Sequence, residues 1–144
     1  MSPHLSKTEV VSRDVLERLV DVRLGEAAAL RKAGFLAAAI YIGGYALECK
    51  LKGAICTLLD LTMLPATFKT HDLELLLLHG GLHNKLKANE EVDESFKKIC
   101  GMWNGKMDLR YEDPSVIGDK DVRLFFEWVE HPDRGVIPWL RTMS

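Results

Sequence analysis

Cysteine is scarce in this chain of 144 residues, with only Cys49, Cys56 and Cys100, and an odd, thinly spread set argues against a disulfide scaffold and for a reducing compartment. There is no basic excess: 19 Lys and Arg against 21 Asp and Glu leave a net charge of −2, unlike proteins that coat a nucleic-acid duplex. Any nucleic-acid chemistry must therefore be local. The longest uncharged run, residues 33–47, ends at Glu48, Lys50 and Lys52 and falls short of the roughly 20 residues a bilayer span needs. Residues 1–10 have no apolar stretch between a basic segment and small cleavage-site residues, so no secretory signal is expected and the predicted location is cytoplasmic. No run of strict apolar–polar alternation is long enough for a strand.

What is present is helical periodicity. The apolar content of 47% excludes intrinsic disorder, and the length suits one domain over residues 1–144. Ser6 and Glu9 have capping-box spacing ahead of a ladder through Val11, Val15, Leu19, Val22 and Ala29, which predicts a first helix over 8–33 ending at Gly34. A second helix is predicted over 35–60, apolar nearly all round and therefore central, with Gly43, Gly44 and Gly53 allowing neighbours to approach closely. A short helix is expected after His71–Asp72, stopping at Gly80–Gly81, and the reading of 82–87 stays open. Helical spacing returns over 91–103, and Asp119 is placed to cap a helix that stops before Pro132. Residues 136–140 form an apolar tail that can pack back. The expected fold is all-α, an up-and-down four-helix-type bundle with a short extra helix.

Several constellations carry chemistry. Cys49, Cys56, Cys100 and His71 have no known zinc-motif spacing, so the cysteines read as apolar filler and no metal is expected. Glu48 and Lys52 have the order and spacing of a helical ion pair, which means little at an exposed edge and marks a cleft if buried. His71 reads either as a general base or phosphate contact, or as a loop residue beside a capping Thr70 or Asp72. Residues 103–114 gather Trp103, Lys106, Arg110 and Tyr111. An arginine beside a tyrosine can grip phosphate while the ring stacks on a base; alternatively the aromatics cover the core and Arg110 pairs with Glu112 or Asp113.

The run GYALECKLKGAIC, then KTHDLELLL, then Trp103 followed by LRY, resembles the HEPN superfamily of prokaryotic α-helical domains over roughly residues 25–129. The resemblance implies an up-and-down helical bundle. It also implies one of two functions. One is a metal-independent ribonuclease acting as a homodimer, with an arginine and a histidine separated by four to six residues. The other is a nucleotide-binding or regulatory partner of a nucleotidyltransferase in a toxin–antitoxin or phage-defence pair. Arg110 matches the family arginine, yet Ser115, Val116 and Ile117 stand where the histidine belongs, and Arg123 to His131 is too widely spaced. The preferred expectation is a homodimeric domain that binds nucleotide or RNA phosphate, with no cofactor and no affinity for a DNA duplex or a membrane. In it Arg110 and His71 occupy the catalytic position, and Lys69, Trp103, Lys106, Tyr111 and Glu48 are ligand contacts. The alternatives are a ribonuclease with a rearranged Arg/His site, or a structural interaction module anchored by Trp103, Trp128 and Trp139.

Overall fold

The computed structural model describes residues 11–103 and 113–143. Over these the chain is all-α, with seven α-helices and two 3-10 turns, and its only strand-like pairing is an isolated bridge between Ser12 and Met63. Helix α1 spans Arg13–Lys32. Ser12 caps it by accepting from the Val15 amide at 3.1 Å, and Asp14 in the first turn with Arg31 and Lys32 in the last complement the helix dipole. The start thus falls later than the predicted position 8, because Val11 and Ser12 are drawn into extended pairing. The Arg13 amide donates to the Thr62 carbonyl, and the Leu64 amide to the Val11 carbonyl, both at 2.8 Å.

The buried face of α1 is also rotated from the predicted ladder. Leu16, Val20 and Ala27 face the core, while Val22 is 51% exposed and Val11 lies outside the helix. Two apolar stripes run side by side on this helix, and periodicity cannot choose which one meets a neighbour. Gly34 closes α1 at φ +87°, where its amide bonds to the Arg31 carbonyl and that of Phe35 reaches back to Leu30. That paired left-handed stop turns the chain into α2 within three residues.

Helix α2, Leu36–Leu58, is the central element, packing on α1, α6, α7, α3 and α5. Its glycines serve the close approach expected of them. A Cβ on Gly43 would stand 2.9 Å from the Phe126 ring, and one on Gly44 would overlap the Trp103 indole. After a 3-10 turn at Ala66–Phe68, α3 (Leu73–His79) is capped by Asp72, which accepts from the amides of Glu74 at 3.0 Å and Leu75 at 3.1 Å. Helix α4 (His83–Lys87) fills the segment left open, and α5 (Glu90–Trp103) buries Val92, Phe96, Ile99, Cys100 and Trp103, as its spacing predicts.

Helix α6, Asp119–Glu130, starts one residue earlier than a cap at Asp119 would place it. Gly118 is the cap, and its amide donates to Asp121 Oδ2 at 2.9 Å. The apolar tail forms α7 (Val136–Arg141), which buries Val136, Ile137 and Leu140 against α2 and α6. Among the described residues no helix is long and apolar enough to cross a membrane.

Candidate functional site

On α2, Tyr41, Tyr45, Glu48 and Lys52 follow at steps of four, three and four, which brings them onto one helical face. Glu48 is the pivot. Its side chain is 6% exposed; Oε2 accepts from Lys52 Nζ at 3.0 Å and Oε1 meets His71 Nδ1 at 2.8 Å. A carboxylate can only accept, so Nδ1 donates the proton of this bond. The imidazole is 67% exposed, whereas its carboxylate anchor is buried. His71 is placed between two turn-forming neighbours. The Asp72 amide donates to Thr70 Oγ1 at 3.1 Å, and Asp72 then caps α3. The capping reading of this segment and the functional one are therefore compatible, since Asp72 caps α3 while the neighbouring imidazole bonds to Glu48.

Aromatic rings back the dyad. Tyr45 meets His71 edge-on at 5.7 Å and Trp103 edge-on at 5.3 Å, and its hydroxyl lies 3.0 Å from that of Tyr41. Trp103, expected as a ligand contact, sits instead in the core at 5% exposure, with Nε1 donating to the Tyr41 carbonyl at 3.1 Å. Its ring is committed to supporting Tyr45. A second buried cation, Lys50, pairs with Glu17 of α1 at 3.0 Å, away from His71.

Beside the dyad opens a pocket of about 270 Å³. Its walls are Leu16 and Leu19 of α1 together with Val11, Leu64, Pro65 and Ala66, brought side by side by the pairing around Ser12 and Met63. Glu48, Cys49 and Lys52 line it from α2, with Lys69, Thr70 and His71 completing it. Lys69 is exposed. Three of the expected contacts thus converge: Glu48, Lys69 and His71. Lys106, Arg110 and Tyr111 lie outside the described residues. Sequence reasoning left Tyr45 unmentioned and did not count Lys52 among the ligand contacts; the step pattern of the α2 stripe was the signal that could have found both.

Burial pushes the Cys49 thiol up to about 11, with the Glu48 carboxylate adding to the effect and Lys52 and Arg23 opposing it. Cys100 is also pushed up by burial. Among the described residues no cluster of three His, Cys, Asp or Glu could hold a metal ion. Because the thiolate is the nucleophile, alkylation of Cys49 by iodoacetamide, followed by mass spectrometry, is expected to be slow at neutral pH and to keep accelerating as pH rises toward 11. A rate that saturates near pH 8.5 would contradict this environment.

A larger hollow of about 330 Å³ between α3, α4 and α5 carries less chemistry. Its cations Lys97 and Lys87 already turn to Asp93, at 3.1 and 3.9 Å. No protein-family model matches the chain, and neither a curated protein nor a solved structure does.

Proposed function

We propose that this chain is a HEPN-type helical domain that binds the phosphate of a nucleotide or of RNA at the corner formed by α1, α2 and the His71 loop. One observation carries the reading. A solvent-facing imidazole is fixed by a buried carboxylate at the mouth of a pocket that Lys69 also lines. An oriented imidazole and a lysine are the groups that meet phosphate oxygens with charge-assisted hydrogen bonds. Arg110, matched to the family arginine, would grip phosphate, while Tyr111 beside it would stack on a base and Lys106 would be a supporting contact. The homodimer and a nucleotidyltransferase-type partner within a toxin–antitoxin or defence pair rest on the same resemblance.

The test is titration of a labelled mononucleotide or short RNA into the protein and its variants. His71→Ala should weaken binding about tenfold or more, since a hydrogen bond to a charged group contributes about 1.5–3 kcal/mol. Arg110→Ala should weaken it several-fold. Unchanged affinity in both variants would refute the assignment.

The Glu48–His71 pair also favours a second reading, a metal-independent ribonuclease with a rearranged Arg/His site, because a carboxylate that fixes the tautomer makes the imidazole a competent proton carrier. Cleavage of structured RNA in chelator, reduced about a hundredfold or more by His71→Ala, would promote that reading over simple binding.

A further inference from the structure

Resting on that phosphate-binding reading, we infer that the pocket beside the Glu48–His71 pair is a base-recognition subsite, so that the ligand is a single nucleotide unit and not bare phosphate. Size is the first ground. Sites for drug-sized ligands run from about 300 to 1,000 Å³, and the roughly 270 Å³ here suits one ring system rather than a length of chain.

Lining is the second ground. Leu16, Leu19, Val11, Leu64 and Pro65 offer aliphatic surface from opposite elements. Such walls would gain nothing from an inorganic anion, but they remove the faces of a planar heterocycle from water. Polarity is the third. Lys52, 10% exposed on its side chain and bonded to Glu48 at 3.0 Å, lines the same space. An ammonium has three donors and Glu48 uses one, so Lys52 can donate to a ring nitrogen or carbonyl at the edge of a base. Lys69 and His71 line the pocket as well, where a 5′-phosphate attached to that base would be met.

Base and phosphate would thus be recognised by different groups, and the two can be separated. Leu19 is partly exposed and Ala66 is exposed, so Leu19→Phe and Ala66→Phe can fill the pocket without disturbing the deep core. The experiment is calorimetric titration of GMP, UMP and ribose 5-phosphate into the full chain, with folding of each variant checked by circular dichroism. The wild-type protein should bind at least one mononucleotide ten or more times as tightly as ribose 5-phosphate. Both filling variants should lose at least tenfold in mononucleotide affinity while ribose 5-phosphate changes by less than twofold.

If ribose 5-phosphate binds the wild-type protein as tightly as the mononucleotides do, or if neither variant weakens them, the base subsite is wrong. The phosphate reading then survives provided His71→Ala still weakens binding about tenfold or more. If neither ribose 5-phosphate nor a mononucleotide binds, both fail together.

Discussion

Replacing Glu48 with alanine is expected to remove about 3–5 kcal/mol of stability, the loss typical when one member of a buried ion pair is deleted. The magnitude follows from what is left behind. Lys52 keeps its ammonium at 10% exposure, and Glu48 is the only carboxylate bonded to it among the described residues. Urea denaturation should show the loss as a lower midpoint with an unchanged slope.

The same substitution also unfixes His71, so stability and function fall together and the single variant cannot tell them apart. The double variant Glu48→Leu, Lys52→Met can. Replacing a buried pair with apolar side chains of similar volume is often neutral or stabilising, so this protein should recover most of the lost stability. It should still bind labelled mononucleotide at least tenfold more weakly, because it lacks both the carboxylate that holds the imidazole and the Lys52 ammonium at the base edge. Full binding by the double variant would show that Glu48 and Lys52 both serve the fold alone. A loss below about 1 kcal/mol for Glu48→Ala would show that water in the pocket solvates Lys52.

The sequence made the helices legible because an apolar stripe is a local signal. α2 could be placed at the centre because it is apolar nearly all round, and α5 and α6 from their three- and four-residue steps. The errors lie where tertiary contacts chose between local options of similar standing. α1 has two adjacent apolar stripes, and contact with α2 selected Leu16 and Val20 over Val22. Its start moved to Arg13 because Val11 and Ser12 pair with Met63 and Leu64, partners just over fifty residues away that no local pattern announces.

The candidate site divides in the same way. Glu48 with Lys52 was visible as a spacing, but only the burial of both turns that spacing into a charged cluster inside the fold. That His71 would meet Glu48 depended on the path of residues 59–72, which is irregular chain fixed by capping bonds and a single bridge. Trp103 was misplaced as a ligand contact because an aromatic at a helix end looks the same whether it covers core or faces a groove. The glycine beneath it decides, and that glycine lies on another helix.

Gly44 therefore gives the second large effect. Glycine to alanine within a helix ordinarily gains about 1 kcal/mol from backbone entropy, yet Gly44→Ala is expected to be destabilising by about 2 kcal/mol net. A Cβ there would occupy the volume of the Trp103 indole, with Nε1, Cε2 and Cδ1 all in its way. Overpacking of this kind costs about 1–3 kcal/mol. Moving the ring also threatens its bond to the Tyr41 carbonyl, a further loss of about 1 kcal/mol.

Gly25 supplies the internal control. It lies on the exposed side of α1 with nothing within 4 Å of where a Cβ would go, so Gly25→Ala should be stabilising by up to about 1 kcal/mol. One substitution, made at two helical glycines, should thus move the melting temperature in opposite directions: down by roughly 5–10 °C at Gly44 and up by a few degrees at Gly25. Because Tyr45 is held edge-on between Trp103 and His71, the Gly44 variant should also bind labelled mononucleotide more weakly at temperatures where it is fully folded, and Gly25→Ala should bind normally. A Gly44→Ala protein as stable as the parent would mean that α2 and α5 are not packed as closely as the Trp103–Gly44 contact requires.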